Sequence, residues 1–181
     1  MKKLNYREIF IIVMLIIVLL VVSLLCFTKK NTSNKNVLSL ETKESNLKIK
    51  NSLTVSDEIG KNNKKGSGYS NFIVKADKLK DKAVKYEIYL KQVNSVNAIN
   101  PKYIKLYLTE KSTNRSLLEK PVTFDSLKLA RTDIGAKQIY TGNIKKNESI
   151  SFELKMWLAD TYTINSEEKS FEIMVGVGII E

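Results

Sequence analysis

From Ile9 to Phe27 the chain reads IFIIVMLIIVLLVVSLLCF, apolar and without a charge, whereas beyond residue 28 the apolar positions recur every second residue. At about 1.5 Å of rise per residue, the first pattern predicts a helix that spans the roughly 30 Å hydrocarbon core of a bilayer. The second predicts half-buried strands, because successive side chains of a strand point to opposite faces.

Leu47 and Ile49 alternate and open a strand that runs through Leu53 and Val55, and Gly60 to Gly68, GKNNKKGSG, is turn-forming. Phe72 and Val74 alternate with Ile73 and Lys75. In VKYEIYLK the apolar side is Val84, Tyr86, Ile88 and Leu90, with Lys85, Glu87 and Lys91 turned outward. Asn94 to Pro101 connects to a strand of Ile104, Leu106 and Leu108, and Lys111 to Lys120 is a polar loop. Phe124, Leu127 and Leu129 suit a short strand or a helical turn, and Gln138 to Ile144 is a short strand. Phe152, Leu154, Met156 and Leu158 mark the next strand, and Phe171, Ile173, Val175, Val177 and Ile179 the last. Seven or eight strands with turn signals between them and no amphipathic helix predict an all-β ectodomain, a β-sandwich. Its pairing is antiparallel, since parallel neighbours would need crossover helices. The alternation suits an immunoglobulin-like and a jelly-roll arrangement equally.

Four segments follow: residues 1–8 as a short cytoplasmic tail, 9–27 as the transmembrane helix, 28–46 as a polar stalk and 47–181 as the sandwich. A signal peptide carries an apolar core of about 7 to 15 residues and a small-x-small cleavage site. This core is longer and runs into Leu24, Leu25, Cys26 and Phe27, which predicts an uncleaved signal anchor. Lys2, Lys3 and Arg7 precede the helix while Lys29, Lys30 and Lys35 follow it, so the positive-inside bias nearly cancels. A tail this short makes no working cytoplasmic domain, and long segments translocate largely regardless of charge. The expectation is a single-pass protein of the cell membrane, N-terminus cytoplasmic and C-terminal domain extracytoplasmic, whose first partner is the lipid bilayer through residues 9–27.

Composition changes the picture in two respects. The chain has no His and a single Cys, which falls inside the apolar run, so disulfides do not staple the sandwich and an apolar core must hold it. Lysine dominates the positive charge, with 27 Lys against 3 Arg, the coding habit of an AT-rich bacterial genome. Residues 28–181 keep 27 basic and 18 acidic side chains, a net of +9, which favours attraction to anionic lipid or to an anionic wall polymer. Nucleic acid is not expected, because the Arg forks that read guanine edges and phosphates are nearly absent.

The plan of an N-terminal hydrophobic segment, a basic stalk and a cysteine-free sandwich with a VKYEIYLK strand resembles the secreted sandwich proteins of Gram-positive bacteria typified by TasA and camelysin. The resemblance covers residues 47–180 and implies a surface or matrix protein that assembles into fibres by donating an N-terminal strand to the next subunit. The chain departs from that pattern in lacking a good cleavage site, so a retained helix would tether each copy.

Chemistry is defined mainly by exclusion. Without His there is no Ser-His or Cys-His pair and no imidazole metal ligand. A Ser-Lys dyad is formally available, but the Ser and Lys residues fall in predicted turns and on outward strand faces. Asp125, Asp133 and Asp160 sit in different predicted loops, far from the pattern of a calcium loop. Gly176-Val-Gly178 opens no helix and lacks the third glycine of a nucleotide fingerprint, and in a strand it marks a bulge or a close backbone contact. No catalytic residue, cofactor or metal site is therefore expected. Trp157, Tyr89 and Tyr107 fall opposite the core stripes, where they form a partner-binding platform unless the Lys111 to Asp133 segment or the stalk-proximal strand covers them.

These readings converge on a non-enzymatic, membrane-anchored extracytoplasmic protein of the bacterial cell envelope that binds an envelope protein or a wall polymer. The alternative is a subunit of a surface fibre or biofilm matrix, assembled by strand donation after signal cleavage. Oligomeric state is left open by the sequence.

Overall fold

The computed structural model describes residues 5–7, 13–19, 35–43, 46–51, 53–63, 68–93 and 96–180. The chain divides into two compact units, residues 1–35 and 36–181. In the first, residues 13–19 are helical and all seven of their apolar side chains are exposed. Residues 9–12 and 20–27 of the expected anchor lie outside the described residues, as do residues 28–34 of the expected stalk. Among the described residues no helix is long and apolar enough to cross a membrane.

The second unit carries the predicted strands: β1 (Val37–Thr42), β2 (Asn46–Lys50), β3 (Thr54–Val55), β4 (Tyr69–Lys78), β5 (Ala83–Gln92), β6 (Ile104–Glu110), β7 (Arg115–Ser116), β8 (Val122–Thr123), β9 (Lys128–Leu129), β10 (Lys137–Lys145), β11 (Ser149–Ala159) and β12 (Ser170–Ile180). They form two sheets. The first runs β1-β4-β11-β6-β7, with β8 also on β6 and β3 beside β11; the second runs β2-β12-β5-β10-β9. Strand pairing is antiparallel except for the short β3–β11 contact.

The period-two stripes turn inward as the alternation requires. Phe72 and Val74 of β4, Leu106 and Leu108 of β6, and Phe152 and Leu154 of β11 are buried from one side. Tyr86, Ile88 and Leu90 of β5, with Phe171 and Ile173 of β12, are buried from the other. Phe72 stacks on Phe152 at 5.4 Å, and Tyr140 of β10 meets Phe152 across the layers at 6.3 Å, so the two sheets share one core. Every buried member of that core lies between Leu47 and Val175, and the unit from residue 36 to 181 therefore folds on its own contacts.

Three local expectations are corrected. The stalk does not extend to residue 46, because Leu38 and Leu40 pack against the core and β1 pairs with β4. The expected Leu47–Val55 strand breaks at Asn51, whose Nδ2 donates to the Asn165 and Glu167 carbonyls, and the chain crosses from β2 in the second sheet to β3 in the first. Finally, the turn-forming stretch begins inside a short helix, Asp57–Asn62. The Ser56 side chain caps it by accepting from the Ile59 N–H, Asp57 and Glu58 sit in its first turn and Lys61 in its last, each suited to the helix dipole.

Candidate functional site

Both sheets turn a second face away from the core, and the face of the first sheet is the richer in chemistry. Register puts Tyr69 of β4 and Tyr107 of β6 on either side of Lys155 of β11, in one row across three strands. The next row is Asn71, Glu153 and Thr109. Phe72, Leu154 and Leu108 are buried in the core, so the alternating residues of both rows point outward. The two tyrosines are half-buried, while Lys155 and Thr109 are 6% and 8% exposed.

Hydrogen bonds fix the first row. The Tyr69 hydroxyl donates to Glu153 Oε1 at 2.9 Å, with Asn71 Oδ1 3.1 Å away. Burial pushes the Tyr69 phenol above its ordinary value; the Asn71 hydrogen bond opposes that shift and Glu153 adds to it. Lys155 Nζ donates to the Lys61 carbonyl at 2.7 Å and lies 3.9 Å from Glu153 Oε2. Beyond Asn71 the face continues into a shallow groove of about 730 Å³ lined by Glu41, Lys43, Ile73, Lys111 and Ser151. At the other end it is closed by the helix Asp57–Asn62, held by the Lys105–Asp57 ion pair at 3.2 Å.

That helix overturns the expectation for Trp157. The indole is on the predicted outward side but only 4% exposed, because Gly60 lies against it so closely that a Cβ there would sit 2.3 Å from the ring. Trp157 therefore seats the helix and presents nothing to a partner. Tyr107 stays on the outer face.

Tyr89 is on the other side of the sandwich, so the three aromatics form no common platform. Its ring lies over Gly176, and its phenol is raised by burial and by its hydrogen-bonded neighbour Asp133. Gly178 beside it accommodates Thr132 in the same way, so the Gly176-Val-Gly178 pattern does mark a close contact. Glu87, fully buried, anchors this cover. Its Oε1 accepts from the Arg131 and Thr132 N–H groups at 2.8 and 2.6 Å and from the Thr132 hydroxyl at 2.7 Å, while Lys91 holds Asp133 at 2.8 Å. Here the end of the Lys111 to Asp133 segment is the cover.

Tyr69, Asn71 and Glu153 were not singled out from the sequence. Their signal was the strand phase: with Phe72 and Phe152 inward, residues 69, 71 and 153 must face outward. Among the described residues no three His, Cys, Asp or Glu side chains gather where they could hold a metal ion. The arrangement offers aromatic faces, amide and carboxylate hydrogen-bonding groups and lysine ammonium groups along a trough, which suits an extended polar ligand. No known family matches the chain, and no curated protein is significantly similar to it.

Proposed function

We propose that the chain is a non-enzymatic, single-pass membrane protein of a bacterial envelope, whose extracytoplasmic sandwich holds a wall polymer in the trough on the outer face of β4-β11-β6. One observation carries the choice of ligand class: Tyr69 and Tyr107 flank the same strand, with Glu153 and Asn71 hydrogen-bonded beside them. Aromatic faces beside fixed polar groups favour a ligand with apolar ring faces and hydroxyl edges, as sugars have. Anchoring rests on the apolar run Ile9 to Phe27 and on the exposure of every apolar side chain in residues 13–19. The strand orders β2-β12-β5-β10 and β4-β11-β6-β7, with the connections between long strands crossing the sandwich, favour the jelly-roll reading over the immunoglobulin-like one.

The test is cosedimentation of the 36–181 fragment with purified bacterial cell walls, with and without Tyr107→Ala. Retention that falls several-fold in the variant is the expected result, in line with the worth of one aromatic contact. No retention, or retention indifferent to Tyr107, would overturn the ligand assignment.

A fibre subunit is the second reading, favoured by the position of β1, the first strand of its unit and at a sheet edge. The strand expected to be donated, Leu47–Val55, is divided between the sheets, so β1 takes that role in this reading. Fractionation of cells expressing the untagged chain separates the two. A full-length species in the membrane, cut by external protease, supports the anchored module, and a shortened species released in large particles supports the fibre.

A further inference from the structure

The folded unit begins at a clasp. Asn36 Oδ1 accepts from the backbone N–H groups of Lys80 and Asp81 at 2.9 and 3.1 Å, and its Nδ2 donates to Asp81 Oδ2 at 2.6 Å. One side chain thus fastens the entry point of the chain to the β4–β5 turn. The β10–β11 turn is stitched to the same place: Lys146 N–H donates to the Lys82 carbonyl, and Asn147 N–H to the Ala76 carbonyl, at 2.9 and 3.0 Å. Asn147 holds this turn with φ of 65°, a conformation asparagine tolerates better than most residues.

Together the two turns present five exposed lysines, Lys78, Lys80, Lys82, Lys145 and Lys146. Three exposed acids, Asp77, Asp81 and Glu148, stand among them, so the five lysines leave a net charge of +2 at this end (5 − 3), and each acid is hydrogen-bonded within the fold. Asp81 is held by Asn36, Glu148 accepts from the Lys145 N–H at 2.7 Å, and Asp77 accepts from the Ser39 hydroxyl at 3.4 Å. Lys78, Lys82, Lys145 and Lys146 take part in no ion pair among the described residues. The opposite end mixes the two signs: the β11–β12 connection carries Asp160, Glu167 and Glu168 against Lys169, with Lys50 paired beside Ser170.

We infer that this lysine-bearing end docks on an anionic lipid surface. The inference rests on the membrane-anchored reading for its geometry. With β1 inside the fold, the leash from Phe27 shrinks to residues 28–35, eight residues that reach at most about 28 Å. That holds the lysine turns near the headgroups, where the potential of anionic lipid acts over a Debye length of about 8 Å. A 19-residue stalk, as residues 28–46 would make, gives no such confinement. Each lysine brought to an anionic surface strengthens partitioning by roughly fivefold.

The test uses the 36–181 fragment, which lacks the anchor, and sedimentation with vesicles of phosphatidylglycerol mixed into phosphatidylcholine. Binding to the mixed vesicles, absent from pure phosphatidylcholine and lost at high salt, is expected. Lys80→Glu, Lys82→Glu and Lys146→Glu together should weaken it about 100-fold or more. Lys50→Glu, Lys102→Glu and Lys128→Glu together change the charge equally and should cost far less. Equal losses in the two triple variants, or no binding by the unaltered fragment, would overturn the inference. Displacement by a soluble polyglycerol phosphate at low concentration would also overturn it, in favour of a wall polyanion. Circular dichroism checks that each variant is folded. If fractionation finds the full chain cleaved and released, the anchor reading fails whatever the vesicles show.

Discussion

Tyr86 holds an ionisable phenol inside the shared core. It is 1% exposed in the shared core, edge-on to Tyr140 at 6.2 Å, and burial first, then the charges of its neighbours, push its phenol well above the ordinary 10.0. A folded-state value raised above the unfolded one means that the native protein binds the proton more tightly. The resulting stability is complete below pH 10 and is lost as pH rises from the unfolded value towards the folded one. While Tyr86 stays protonated in the fold, that loss amounts to about 1.4 kcal/mol per pH unit above 10. Denaturant midpoints should therefore hold steady from pH 7 to 9 and then fall. Tyr86→Phe should flatten part of the fall, and an identical pH profile in the variant would show that Tyr86 carries none of it. Three other residues hold their places by backbone tolerance: Asn97, Asn114 and Asn147 all have positive φ. In the sequence they were merely part of an asparagine-rich background, because a left-handed turn residue has no periodicity to betray it.

The short helix Asp57–Asn62 brings Gly60 into close approach with Trp157, and this gives the element its test. Because a Cβ at Gly60 would fall 2.3 Å from the indole, Gly60→Val must lift the helix or push the ring aside. Trp157 is the only tryptophan, so its emission should shift to longer wavelength, with a stability loss of about 1 to 3 kcal/mol. An unshifted spectrum would mean that the helix does not shield the ring. The long strands of this fold were legible because alternation survives wherever one face of a strand is apolar, as in β5, β11 and β12. The helix was not, since six residues make fewer than two turns and Gly60, Asn62 and Asn63 read as a loop. Half of the candidate face was legible for the same reason. Strand phase puts Tyr107 and Trp157 outward, but only the tertiary path of the chain decides that one stays at the surface and the other is roofed.

At the scale of the whole molecule, the boundary between leash and sandwich decides both how the unit is held and what its edge can do. Leu38 and Leu40 alternate with polar residues, but two leucines beside a charged stretch do not announce that they pack on a core built by strands much farther along the chain. Those leucines are half-buried, and β1 covers the outer edge of a ten-residue strand. Removing them should cost about 2 to 4 kcal/mol, counting two leucines at somewhat under their full burial value plus the lost pairing. It also strips β4 to an exposed row of unpaired N–H and carbonyl groups, a template for a second chain. A fragment beginning at Leu47 should therefore unfold at lower denaturant than one beginning at Asn36 and should self-associate in sedimentation velocity, while the longer fragment stays monomeric. Adding a synthetic peptide of residues 36–43 should then restore the monomer by refilling the edge. If the shorter fragment is as stable and as monomeric as the longer, β1 contributes nothing to the sandwich, the leash regains its full length, and the confinement of the lysine-bearing end disappears with it.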